Sequence, residues 1–208
     1  MDNETANIVF RKARRKDHQR IKTLHELTFR EHVEREPDFN IEAPFLAPFL
    51  KRFPVTLKKS KSGYIVRRKK IFVCERDAVF CGYVALDQID TLFRGGFAMI
   101  SDISVPPDMR GTGIAHVALD RVTRFCSNRN IPTVQAHVWP KNHGSHALFL
   151  EQGFELADDN IQDVFAPMTV YCKQITPSRI AQIRSVFKGA ALIVGVMGMA
   201  LAISLAMQ

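Results

Sequence analysis

Val105-Pro106-Pro107-Asp108-Met109-Arg110-Gly111-Thr112-Gly113-Ile114-Ala115 reads as a strand end, a proline-stopped turn and the first turn of a helix. Gly111 and Gly113 let the backbone turn tightly and come close to a ligand. The first N–H groups of a helix have no partner inside it, so those opening the helix after Gly113 converge on one spot and form an anion site. A pyrophosphate fits such a site. A glycine turn is weak support on its own, because helix entries use Gly for purely conformational reasons. The flanks strengthen it. Upstream, Phe97 to Val105 is the most strand-like stretch of the chain; downstream, Ile114, Val117, Ala118, Val122 and Phe125 recur at helical spacing to about Asn128.

Working outward, Ile8 to Ala13 reads as a strand, and Asp17 is placed to cap a helix that runs to about Arg35 and stops before Pro37. Residues 38–62 carry Pro44, Pro48 and Pro54 and read as a variable loop or helical insert. Tyr64 to Val66, Lys70 to Glu75 and Val79 to Asp87 read as strands, with Arg76-Asp77 as a hairpin turn. Past the central helix come a strand from Thr133 to Val138, a helix from Gly144 to Gln152 stopped by Gly153, and a closing strand from Val164 to Lys173. This order predicts a single α/β (α+β) domain over residues 8–175, a mixed sheet with helices on both faces.

The net charge of +8 calls for an anionic partner. It is concentrated in the insert, residues 38–70, where between Ile41 and Lys70 the nine cations Lys51, Arg52, Lys58, Lys59, Lys61, Arg67, Arg68, Lys69 and Lys70 stand against one acid, Glu42. Phe45, Phe49 and Phe53 are interleaved with them, so nucleic acid is a candidate. An anionic lipid surface, met through residues 51–70, or an acidic substrate is the preferred partner, and a solvated basic loop is the plain alternative. Cys74, Cys81, Cys126 and Cys172 show neither CxxC pairing nor metal-type spacing, so they read as reduced core residues and no metal is expected.

From Gly189 to Met207 the chain has no charge, and at 1.5 Å per helical residue this run approaches the ~30 Å of a bilayer core. A single transmembrane helix at 189–207 is expected, preceded by a basic juxtamembrane helix over 178–188 that carries Arg179, Arg184 and Lys188. By the positive-inside rule these cations keep the folded domain cytoplasmic, tethered by a C-terminal anchor. Ala191, Gly195, Gly198 and Ala202 share one helix face, which suits pairing with a second copy or a partner helix.

Arg110, Gly113 and Ala115 match position for position the pyrophosphate loop of the GNAT superfamily of acetyl-CoA-dependent N-acyltransferases, which this chain resembles. A second match is independent. Val138-Trp139-Pro140-Lys141-Asn142, followed eleven residues after Asn142 by Gly153-Phe154, repeats the family's strand, Asn, helix and Gly-Phe spacing. The resemblance covers roughly residues 8 to 173 and implies a mostly antiparallel GNAT-like sheet. It implies acetyl-CoA, or another acyl-CoA, as co-substrate and an amine as acceptor. The backbone of Ile103, Ser104 and Val105 would take the pantetheine arm; Arg110, Gly111, Thr112, Gly113, Ile114 and Ala115 would hold the pyrophosphate; Asn142 would contact the cofactor arm. No Lys-Ser/Thr pair follows the glycines, so the motif is not a Walker loop, and nucleic acid explains neither motif.

Direct acylation of an amine needs a proton acceptor. On Thr133 to Val138, alternation sets Gln135 and His137 on one face, and His137 falls where ribosomal-protein acetyltransferases of the superfamily carry a glutamate base. Asp102 on the neighbouring strand is the second candidate, acting directly or through water. Hydrogen bonding across the strands is the structural alternative for both. His143 and His146 read as exposed helix-start residues. The departure from the family is Phe149, where a tyrosine acid is common, since phenylalanine donates no proton. That makes a catalytically weak or inactive acyl-CoA-binding regulatory or scaffold protein the alternative to a membrane-tethered N-acetyltransferase.

Overall fold

The computed structural model describes residues 7–36, 56–60, 63–91, 95–159 and 167–183. Strand β1, Ile8–Lys12, leads through a 3-10 turn at Arg15–Asp17 into helix α1, His18–Arg35. Strands β2, Thr56–Ser60, β3, Gly63–Arg76, β4, Val79–Thr91, and β5, Gly95–Ser104, follow. Helix α2, Ile114–Asn128, strand β6, Thr133–Val138, helix α3, His143–Glu151, and strands β7, Glu155–Leu156, and β8, Thr169–Gln174, complete the fold. The sheet order is β1-β3-β4-β5-β6-β8-β7 with β2 also on β3, and every pairing is antiparallel except β5 with β6. The mixed, mostly antiparallel sheet expected from the sequence is the one found.

Buried clusters on the two faces of the sheet fix the layers. Ile21 and Leu24 of α1 pack on Ile71, Val73, Tyr83 and Ala85 on one face. On the other, Leu119, Val122 and Cys126 of α2 and Leu148 and Phe149 of α3 meet Val84, Leu86, Ala98, Ile100, Val134, Ala136 and Val138. Helices thus cover both faces. At α1's start, Asp17 does not cap as expected: its carboxylate accepts from the Arg14 N–H (2.6 Å) and binds Arg11 (2.8 and 3.0 Å) and Arg20 (2.6 Å), wholly buried. The side chain reaches back to close the 3-10 turn and ties helix to strand.

Around β2 to β4 the boundaries differ from the sequence reading. Part of the expected insert is a strand, β2, and the expected strands Tyr64 to Val66 and Lys70 to Glu75 are one 14-residue strand, β3, paired with β2 at one end and β1 at the other. Its charged middle stays in the ladder because Lys69 approaches Asp87 (3.8 Å) and Lys70 donates to Gln88 (3.0 Å) while lying over the Phe125 ring. The hairpin turn lies one residue later, at Asp77-Ala78, both at positive φ (50° and 64°), as a two-residue turn matched to strand twist requires.

Residues 179–183 are helical, with the Ser178 hydroxyl accepting from the Ala181 N–H. Among the described residues no helix is long and apolar enough to cross a membrane. The expected span 189–207, its small-residue face and most of the basic segment 51–70 lie outside the residues whose side chains are described.

Candidate active site

Parallel strands β5 and β6 pair only through Ala98↔Val134, Met99↔Gln135 and Ile100↔Ala136. Beyond Ile100 they part, and among the described residues no strand lies beside the β5 backbone from Ser101 onward on that edge, which suits an extended ligand adding as a strand would. A groove of about 840 Å³ opens there. Ile103, Ser104 and Val105 line it, the Arg110 loop and the start of α2 form one wall, Lys141 to Ser145 and α3 the other, and Thr28, Glu31, His32 and Arg35 of α1 close the side. Of the residues expected to hold a cofactor, Ile103, Ser104, Val105, Arg110, Gly111, Gly113, Ile114, Ala115 and Asn142 come together in this groove. Thr112 does not line it: its hydroxyl donates to the Met109 carbonyl (2.7 Å) and closes the loop.

Gly111 and Gly113 adopt φ of 75° and 77°, the left-handed region open to glycine at no steric cost, and Gly113 opens α2. The Arg110 guanidinium donates to Glu31 on α1 (2.7 Å) and to the Val105 carbonyl (3.2 Å). An anion entering at the helix start therefore meets a cation already bridged to a carboxylate. Asn142 caps α3, its Oδ1 accepting from the Ser145 N–H (3.2 Å). The cap fixes the side chain on the groove wall, with its amide N–H groups still to donate.

Asp102 reaches the α1 face through a β-bulge. Leu86 pairs with Ile100 but Ala85 with Asp102, so Ser101 is an extra residue, its hydroxyl on the Ala85 carbonyl (3.3 Å). Strict alternation from buried Ile100 would have sent Asp102 to the α2 side; the bulge re-aims it. There its carboxylate accepts from His25 Nδ1 (2.6 Å), from the Tyr83 hydroxyl and from the Ser104 hydroxyl (2.9 Å). A carboxylate offers only lone pairs, which assigns the shared proton to the imidazole. Burial first, then the Asp102 charge, push the Tyr83 phenol well above its ordinary value, so it stays a donor.

His137 lies on the α1 side of β6, as alternation predicts: Val134, Ala136 and Val138 are the buried face. By register, it and Asp102 follow the last β5–β6 pair on the same sheet face, one on each diverging strand. Burial lowers its pKa, which keeps the imidazole neutral near neutrality. Neither side chain lines the groove itself. Phe149 is buried against Phe154 and Tyr171, so nothing at that position can protonate a leaving group. His146 is not the exposed residue expected. Its Nδ1 meets the Tyr171 hydroxyl (2.8 Å) and its Nε2 the Trp139 carbonyl (3.1 Å), pinning α3 to β8. Sequence reasoning missed His25 and Tyr83; the available signal was an imidazole on α1's apolar stripe of Ile21, Leu24 and Thr28.

A family model described as acetyltransferase (GNAT) family matches residues 20–154. An uncharacterized N-acetyltransferase of Methanocaldococcus jannaschii is 29% identical over 105 residues, which is 50% of this chain and 43% of that protein. The match thus spans less than half of that relative's length. In fold the chain is similar to Arabidopsis thaliana Naa50, solved in complex with the bisubstrate analogue CoA-Ac-MVNAL (TM-score 0.56, 17% identity, 81% of this chain and 99% of that one). It is also similar to the PaiA N-acetyltransferase of Thermoplasma acidophilum, solved in complex with coenzyme A (TM-score 0.56, 11% identity, 80% and 98%).

Proposed function

The chain belongs to the acetyltransferase (GNAT) family, and we propose that it transfers an acetyl group from acetyl-CoA to an amine by direct attack. The observation that carries this is the groove where β5 and β6 part, walled by a glycine loop and the start of α2. The cofactor's extended arm fits the open edge of Ile103 to Val105, its pyrophosphate the N–H groups from Gly111 to Ala115, and Asn142 donates to the arm. Relatives of this fold solved with coenzyme A and with a CoA–peptide conjugate support the choice of ligand. In the reaction the amine nitrogen attacks the thioester carbon, the C–S bond breaks, and the amine proton passes to Asp102 or His137. With phenylalanine at 149, the CoA thiolate takes its proton from water. Calorimetric titration with CoA tests the site: saturable 1:1 binding, lost when Gly113→Val blocks the loop, is expected; no binding by the wild-type chain refutes the reading.

Phe149 also favours a second reading, an acyl-CoA-binding protein without turnover. It shares the CoA titration and differs in releasing no thiol when amines are added. For the uncharged run 189–207 we propose a membrane anchor with the domain on the cytoplasmic side, where acyl-CoA is available, and an acceptor amine at or near the membrane. The basic segment 51–70 would then meet anionic lipid headgroups, and Ala191, Gly195, Gly198 and Ala202 a partner helix. Retention of the full chain, but not of one lacking 189–207, in carbonate-washed membranes is the expected result; equal release of both overturns it.

A further inference from the structure

We propose that His25 and Tyr83 are positioning residues that hold the Asp102 carboxylate as the acceptor of the amine's proton; this rests on the acetyltransfer reading above. Three donors converge on one carboxylate, from three elements: His25 of α1 and Tyr83 of β4 on Oδ2, and Ser104 of β5 itself on Oδ1. Tyr83 is 1% exposed, and of the ion pair the His25 side chain keeps 11% and the Asp102 side chain 16%, so Asp102 is the most open of the three. Three donors fill three of about four lone-pair directions. The fourth belongs to Oδ1, the oxygen bonded to Ser104, and Ser104 lines the groove. Thr28, another groove residue, shares a 3.3 Å contact with the Ser104 hydroxyl, so the chain of polar groups ends on the cofactor wall.

A network serving only to dock α1 would need no opening. Replacing a buried charged cluster with apolar packing is often neutral or stabilising, and here Ile21 and Leu24 already dock the helix. The Ser101 bulge points the same way, since its effect is to turn Asp102 and Ser104 toward α1 at the place where β5 and β6 part. In the step itself, the N–C bond forms as C–S breaks, the amine proton moves to Asp102 Oδ1, and the thiolate is protonated by water. His25 and Tyr83 keep Oδ2 fixed throughout, so Oδ1 faces the amine in one orientation.

The test uses the full chain, acetyl-CoA and a panel of primary amines and peptides with free N-termini, read by thiol release. Tyr83→Phe and His25→Leu each remove one donor. His25→Asn keeps an N–H near the place of Nδ1. Expected are falls in kcat of roughly 10²-fold for Asp102→Asn and about tenfold for Tyr83→Phe and His25→Leu, with the KM for acetyl-CoA changed less than about threefold; His25→Asn recovers most of the loss. If Asp102→Asn, or Tyr83→Phe and His25→Leu alike, keep the wild-type kcat, or if His25→Asn is as impaired as His25→Leu while folded by CoA titration, the proposal is overturned and the acetyltransfer reading stands. Wild-type protein that binds acetyl-CoA but turns over no amine overturns both.

Discussion

Gly82→Ala is expected to damage the site from the strand behind it. Gly82 sits in β4 at φ 150°, and a Cβ there would lie 2.7 Å from the Ser104 carbonyl oxygen and 3.4 Å from a Val105 methyl. The first neighbour is backbone, so no rotamer change relieves it; β5 must move. Conformational strain at a glycine-only backbone position costs about 1–3 kcal/mol and overpacking about 1–3 kcal/mol, so after partial relaxation the variant should lose roughly 2–4 kcal/mol. The displaced residues are the groove floor and the Ser104 hydroxyl on Asp102, so whatever folds should also bind CoA several-fold more weakly. Urea unfolding gives the first number and calorimetry the second. Gly111→Ala is the control: its Cβ meets nothing within 4 Å, leaving only the positive-φ cost of about 1–2 kcal/mol. A Gly82→Ala protein with wild-type urea midpoint and CoA affinity would refute the reasoning.

Asp17→Asn breaks a buried ion cluster on one side only, so a loss of about 3–5 kcal/mol at pH 7 is expected. The Arg11 hydrogen bonds hold the Asp17 carboxyl below the usual carboxylate range, so its contribution is full above about pH 4 and lost on acidification; stability of Asp17→Asn should fall less than wild type between pH 5 and 2. Parallel unfolding curves across that range would contradict the assignment. Glu31→Gln removes a carboxylate from the anion groove and frees Arg110; CoA should bind up to about fivefold more tightly, since a half-exposed pair is worth at most ~1 kcal/mol. Weaker binding would mean that the bridge instead pre-positions Arg110.

Where side-chain periodicity reports burial, the sequence could be read. The α2 stripe, the alternation in β6 and the glycine turn between β5 and α2 all reappear, and nine of the ten residues expected at the cofactor line one groove. What could not be read depends on partners distant in sequence. Arg67-Arg68-Lys69 looks like a break between strands, yet β4 pairs with each of the three residues and carries β3 through it. Thr56–Ser60 has a strand only because β3 supplies the ladder. The Ser101 bulge leaves no mark in composition, and it alone decides that Asp102 faces α1. His25 then acquires meaning only through a contact 77 residues away. Asp17 and His146 fail for the same reason: helix-start chemistry described their neighbours in sequence, while Arg11 and Tyr171 held them.

The central claim, acetyl transfer to an amine at the groove where β5 and β6 part, is tested most directly by following free thiol while purified protein, acetyl-CoA and a panel of primary amines and N-terminal peptides are mixed. Thiol release that depends on both amine and enzyme, in step with an acetylated product by mass and abolished by Gly113→Val, is the predicted result. Saturable acetyl-CoA binding with no amine-dependent thiol release above the uncatalysed rate would contradict it.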